Sequence, residues 1–328
     1  MAKNKNVLFF SDFGIDDFVA AIYALFSKEV NIVGIVADYG NISRLDALRN
    51  AVYLREVTGI ADIPVFSGAE LPLTGENPVY YPDVHGLEGL GPISLPEYEV
   101  TDEFFENFDG IKGIISKYED DLIIVNVGRL SSLATAFILY PSYMSRVKDF
   151  YIMGGAFNVP GNVSPVAEAN FYGDPYAANI IIRQAPKQIH IFPLDVTMSA
   201  IVTPMLIDRL DEYYKEINSR PGLLVKPMVD YYYKFYKKRD PDISGSPLHD
   251  VFTLWALTED AAVEYKELPV IIQVDKGEGQ GQSIGDFRKF IEKAEYPIHK
   301  IAISFDYAKF ITSFYTTMKN HYSEKPPS

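Results

Sequence analysis

The chain has 328 residues, no cysteine, and 44 acidic against 30 basic side chains, a formal net charge of −14. Apolar residues at 48% and charged residues at 23% fit a globular protein with ample chain for a core and argue against wholesale disorder. The acidic balance disfavours a nucleic-acid partner, and the missing cysteines exclude disulfides, thiolate nucleophiles and zinc–cysteine sites.

Val7–Phe10 reads as a buried strand. The run is too short for a signal sequence or a membrane span, so the expectation is a soluble, cytoplasmic protein without a membrane partner. Asp16–Ser27 follows as a helix with a wide apolar face, Asn31–Val36 as a second strand, and Ser43–Thr58 as a second helix with Ser43 as its N-cap. Pro64–Ser67, Leu122–Val127, Asp149–Met153 and Gln188–Pro193 are further strand-like runs. Helical patterns over Glu103–Lys117, Leu130–Tyr140 and Pro175–Gln184 separate the later ones. This alternation predicts an α/β fold with an open, mostly parallel sheet flanked by helices. Beyond Leu194 helices are predicted at Met205–Tyr214, Leu223–Lys238, Asp250–Asp260 and Tyr307–Tyr322, with strands at Val270–Val274 and Ile301–Ser304. Leu71–Pro96 and Arg239–Pro247 read as long loops of the kind that border sites. No break in composition divides the chain, so one domain over residues 1–328 is expected.

In an open parallel sheet, ligands bind beyond the carboxyl ends of the strands. After the first strand stands Ser11-Asp12-Phe13-Gly14-Ile15-Asp16-Asp17, three carboxylates around a turn. Such a cluster suits either a helix start or a hard cation that wants several oxygens. Asn41 follows the second strand, and Gly128-Arg129 follows Val127. Gly154-Gly155 leads on to Asn162, Glu168 and Asn170, polar groups of the kind that hold a polyhydroxylated molecule. His249-Asp250 opens a late helix, and His85 lies in a glycine-spaced loop.

This ordered set resembles the inosine–uridine preferring nucleoside hydrolase family, whose DxDxxxDD motif stands here as Phe10-x-Asp12-x-x-x-Asp16-Asp17. The likeness extends through Gly40-Asn41, the His85 loop, Met153-Gly154-Gly155, Asn162, Glu168-x-Asn170, Asp174-Pro175 and Leu248-His249-Asp250. It implies calcium-dependent hydrolysis of the N-glycosidic bond of ribonucleosides, purine or pyrimidine, by a homo-oligomeric enzyme. Carried over by position, the calcium ligands are Asp12, Asp17, the Val127 carbonyl and Asp250. Asp12 is also the base that activates a calcium-bound water. Asp16, Asn41, Asn162, Glu168 and Asn170 grip the ribose. His249 is the expected acid toward the departing base, because imidazole titrates near neutrality, and His85 lies near it. Tyr232 and Tyr236, one helical turn apart, match a tyrosine-rich helix near the base and equally suit a buried stripe.

Phe10 replaces the first aspartate of the motif, Phe13 stands where proline is usual, and Val251 follows His249-Asp250 in place of another proline. These changes mark a divergent member. Two rival readings remain at this stage. One is a nucleoside- or ribose-binding module without turnover. The other is an S-adenosylmethionine-cleaving hydroxide adenosyltransferase, which Phe10-Ser11-Asp12-Phe13-Gly14 also resembles.

Overall fold

The computed structural model describes residues 5–289 and 296–320. Among these the strands are β1 (Lys5–Ser11), β2 (Val30–Ala37), β3 (Val65–Ser67), β4 (Leu122–Asn126), β5 (Asp149–Met153), β6 (His190–Phe192), β7 (Ile201–Val202), β8 (Ser246–Pro247), β9 (Val263–Ile272), β10 (Ser283–Gly285) and β11 (Ile298–Phe305). Nine of them form one sheet in the order β10-β9-β11-β6-β5-β4-β1-β2-β3. The run from β11 to β3 is parallel, and β9 is antiparallel to both its neighbours. β7 and β8 make a separate two-stranded antiparallel ladder.

Alternation along the central strand sorts the core into two layers. Val7 and Phe9 of β1 point into a layer that includes the helices Ile15–Phe26 and His249–Thr258. Leu8 and Phe10 point into the other, against Ile111–Tyr118, Ser131–Leu139 and Pro175–Gln184. Phe10 is fully buried there and pairs in register with Asn126 of β4. The position that the motif gives to a carboxylate is thus part of an apolar layer.

The chain winds outward from β1 through β2 to β3, then returns to the other side of β1 at β4 and winds outward through β5 and β6. The strand order therefore reverses between β1 and β4. Loops leaving these two strands diverge, and the crevice between them is where an open sheet receives a ligand.

Most predicted elements stand within a residue or two of their expected ends. The Ser43 hydroxyl caps Arg44–Thr58 by accepting from the Asp46 amide. The expected helix Glu103–Lys117 is confined to Ile111–Tyr118 behind a short 3-10 turn. Arg44 explains this: its guanidinium donates to the carbonyls of Thr101, Asp102 and Glu103. Phe105 and Asn107 then adopt positive φ. The predicted strand Val270–Val274 is the end of the longer β9, whose first half carries the exposed Glu264 and Glu267 that hid it from an apolar-run reading. β7, β8 and β10 went unpredicted because two or three residues carry no periodicity. A short helix, Pro82–His85, interrupts the first long loop. The closing helix runs from Tyr307 to Met318, and residues 321 and 322 of its predicted span lie outside the described residues. Among the described residues no helix is long and apolar enough to cross a membrane.

Candidate active site

Local bonds build the turn after β1. The Ser11 hydroxyl accepts from the Phe13 amide at 3.0 Å and donates to Asp17 Oδ1 at 2.8 Å. Phe13 takes φ of +47°, a left-handed conformation that costs a residue with a Cβ roughly 1–2 kcal/mol. Complete burial of its ring holds it there. Gly14 caps the helix Ile15–Phe26, and its amide donates to Asp17 Oδ2 at 3.0 Å. Asp16 and Asp17 thus enter the first helical turn, where the helix dipole favours carboxylates.

Asp12 is wedged between two bare backbones. A Cβ on Gly40 would fall 1.8 Å from Asp12 Oδ2, and one on Gly128 would fall 2.7 Å from the Asp12 amide nitrogen. Asp12 Oδ2 accepts from the Asn41 amide at 2.5 Å, and Asn41 Nδ2 reaches Oδ1 at 3.5 Å. The Arg129 guanidinium stands 3.8 Å away.

Asp16, Asp17 and Asp250 each offer an oxygen within 4.8 Å of the other two, and all three are buried. Asp12 lies against Asp17, and Asp16 against Asp250, so a proton on one member of each pair can be shared with the other. Four buried carboxyls this close cannot all ionise without a countercharge. Burial, then the charge of Asp12, pushes Asp16 up to about 7. Asp17 and Asp250 stand well above the ordinary carboxylate range, from burial first and then their acidic neighbours. Burial also raises Asp12, with Arg129 pulling in the opposite direction.

A hard divalent cation fits this cluster. The donors are all oxygens, which suits calcium or magnesium better than softer metals. Asp16 Oδ1 is buried without a hydrogen-bond partner. The Val127 carbonyl, at the end of β4, accepts from Asn170 Nδ2 at 2.7 Å and keeps a second lone pair.

A cleft of about 210 Å³ opens above the cluster. Of the residues singled out from sequence, Asp16, Asn41, His85, Asn162, Glu168, Asn170, Tyr232, Tyr236, His249 and Asp250 line it. Asp12, Asp17 and Val127 are buried beneath. Glu168 is held by backbone: its carboxylate accepts from Gly155, Asn170 and Phe171 amides at 2.9, 2.8 and 3.2 Å and caps the short helix Ala169–Gly173. Asn162 accepts from the Ala169 amide at 3.0 Å.

A chain of hydrogen bonds runs along the cleft wall. His249 Nδ1 lies 2.8 Å from Thr197 Oγ1, and Nε2 lies 2.9 Å from the Tyr236 hydroxyl. That hydroxyl is 3.3 Å from the Tyr232 hydroxyl, which donates to Asp16 Oδ2 at 3.3 Å. An ionised Asp16 can only accept, so every donor in the chain points toward it. With Asp16 ionised, this direction gives His249 the Nε2–H tautomer, with Nδ1 accepting from Thr197. Burial lowers His249 to about 4. The expected titration near neutrality is therefore displaced, and the ring is neutral at pH 7. His85 is likewise neutral, lowered to about 3 by burial and then by Arg129 and His249. Its Nδ1 accepts from the Ile15 amide at 3.0 Å, so it braces the helix carrying Asp16 while lining the cleft.

Sequence reasoning gave no site assignment to Arg129, Thr197 or Arg239. Arg239 lines the cleft, with its guanidinium 4.4 Å above the Phe235 ring. A cation directly after a strand end was a usable signal for Arg129. Thr197 carried none, since only the tertiary fold brings it to His249.

The family model described as inosine-uridine preferring nucleoside hydrolase matches residues 7–312. The chain is 32% identical over 270 residues to uridine nucleosidase 1 of Arabidopsis thaliana, covering 81% of this chain and 78% of that protein. It is 30% identical over 319 residues to an inosine-uridine preferring nucleoside hydrolase of Leishmania major, covering 93% and 95%. Among solved structures, a plant nucleoside hydrolase superposes with a TM-score of 0.86 at 29% identity, over 96% of this chain and 99% of the other.

Proposed function

The chain belongs to the inosine-uridine preferring nucleoside hydrolase family, and from that membership and the cleft's geometry we propose that it hydrolyses ribonucleosides to free base and ribose with calcium as cofactor. One juxtaposition carries the reading. The buried group Asp16, Asp17 and Asp250 and the hydrogen-bonded chain from His249 to Asp16 border the same cleft, at the point where the strand order reverses.

Asp12, Asp17, Asp250 and the Val127 carbonyl would hold the calcium. When bound, it supplies a fixed double positive charge that captures vicinal sugar hydroxyls and acidifies water. Asp16, Asn41, Asn162, Glu168 and Asn170 orient the ribose. Asp12, clamped between Gly40 and Gly128, takes the proton of the attacking water. As the bond to the base breaks, positive charge spreads over the sugar ring, and the carboxylates beneath stabilise it. The departing base meanwhile gains negative charge. His249 Nε2–H and the Tyr236 hydroxyl lie together on the wall, and turning either hydrogen from its internal partner toward the base supplies a hydrogen bond to the developing charge. A neutral imidazole does this without placing a second cation beside the developing one.

A reducing-sugar assay over inosine, uridine, cytidine, adenosine and guanosine, with calcium and with a chelator, tests the proposal. Ribose released in the calcium arm alone supports it. Calcium-dependent nucleoside binding without ribose release, or adenosine formed from S-adenosylmethionine, overturns it.

A further inference from the structure

Arg129 is a guanidinium buried among carboxylates, 3% exposed, in the turn that follows β4. It lies outside the lining of the nucleoside cleft and borders a separate recess of about 120 Å³. Its side chain lies against bare backbone, since a Cβ on Gly173 would fall 2.4 Å from Arg129 Nε.

Its contacts reach two cleft residues, Asn41 and Asn170, and Asp12 beneath them, which come from three different strand ends and loops. Nη1 donates to Asn170 Oδ1 at 2.6 Å and stands 3.8 Å from Asp12 Oδ2, and Nη2 reaches Asn41 Oδ1 at 3.5 Å. A guanidinium can only donate, so Asn170 must turn its Oδ1 toward Arg129. That turns Nδ2 toward the carbonyls of Val127 and Met153, at 2.7 and 3.3 Å. Both amide hydrogens are then engaged. Asn170 is left to meet a sugar hydroxyl as an acceptor, through the remaining lone pair of Oδ1. The same amide fixes the direction of the Val127 carbonyl.

We propose that Arg129 is a positioning residue that clamps Asp12, Asn41 and Asn170 from behind, presetting the acceptors that meet the ribose and the attacking water. This inference rests on the ribonucleoside reading of the cleft. The planar fork carries the function, because one group must serve three partners in fixed directions; a point charge on a flexible stem does not reproduce that. Phe10, in its apolar layer, offers Asp12 no polar support from β1. The support comes from the flanking strand ends, the Asn41 amide after β2 and Arg129 after β4.

The test compares Arg129→Met and Arg129→Lys with the unmodified chain, after thermal melting shows which variants fold. Ribose affinity is read by calorimetry in calcium, and kcat and KM are read on a nucleoside. Arg129→Met is expected to weaken ribose binding about 10–100-fold and to lower kcat/KM by at least as much. Lysine should restore neither, and guanidinium ion added to Arg129→Met should recover part of both. A Met variant within about threefold of the unmodified chain, the scatter of an uninvolved position, overturns the clamp. So does full recovery in the Lys variant, which would leave charge as the only requirement. If Arg129→Met does not fold, Arg129→Lys is scored alone by the same criterion. An unmodified chain that binds ribose but releases none fails as a hydrolase, while variant ribose affinities still score the clamp. An unmodified chain that binds no ribose overturns both.

Discussion

Replacing Asp16 by asparagine should stabilise the chelator-treated protein, and by more as pH rises from 5 to 8. Asp16 is pushed from 3.8 up to about 7 by burial and by the charge of Asp12. The unfolded chain ionises Asp16 near its ordinary value, so between these limits the folded state holds the extra proton. Stability contributed by this group therefore falls as pH rises through the window, and the loss is complete above about pH 7. From pH 5 upward about two units of that shift remain, worth about 3 kcal/mol at roughly 1.4 kcal/mol per unit. With an unfolding entropy of about 2.1 cal/mol/K per residue, a chain of this length converts that into a Tm difference of about 4 °C. The buried histidines act in the opposite sense: His85 and His249 are lowered to about 3 and about 4, chiefly by burial, so their contribution grows as pH rises toward 6.5. Both rings are already neutral in the folded state from pH 5 upward, so they contribute nearly equally to variant and parent, and relief of Asp17 and Asp250 from the Asp16 charge acts in the same direction as the main effect. Calorimetric melting of both proteins in chelator at pH 5, 6, 7 and 8 is the assay. Calcium binds the ionised cluster, so the rise in Tm that it gives the parent should also be larger at pH 8 than at pH 5. A difference between the two chelated proteins that stays flat or shrinks from pH 5 to 8 would refute the reasoning.

Three further outcomes are expected. Asp12→Ala should remove the proton acceptor and lower kcat by about 10²–10⁴-fold or more in a folded chain; a variant keeping a large part of the parent rate sinks the assignment. Uridine should exceed 2′-deoxyuridine in kcat/KM by about 10–100-fold, the worth of one charge-assisted contact to the 2′-hydroxyl, and equal values would exclude chelation of that oxygen. His249→Ala should slow uridine and inosine by about 10²–10⁴-fold yet spare a riboside whose nitrophenolate departs without a proton. Equal losses on both kinds of substrate would move His249 out of leaving-group chemistry.

Much of the fold was legible because the signals are local. Apolar runs separated by helical patterns specify parallel α/β winding. Ser43 marked its helix start as a cap does. What could not be read was set by distant partners. Arg44 reaches the carbonyls of residues 101–103 and shortens a helix that periodicity alone would extend. The first half of β9 carries the exposed Glu264, Lys266 and Glu267 because β10 pairs only with its last residues, 270–272, and leaves that half with β11 on one side alone.

The chain's own order of residues determined which side chains were available for chemistry: Asp12, Asp16 and Asp17 at one strand end, Asn162 to Asn170 at another, and His249-Asp250 at a helix start. Period-two alternation and strand-end position suffice to propose that they converge. Only the tertiary structure decided how they act together. It placed Asp250 beside Asp16 and Asp17, and Arg129 behind Asp12. It joined His249 to Asp16 through two tyrosines from a third helix. It also buried that histidine so that its ring is neutral at pH 7. The physical reason is common to all of these. Residue type and spacing act over a few positions, whereas desolvation, charge proximity and hydrogen-bond direction depend on which elements the sheet brings side by side.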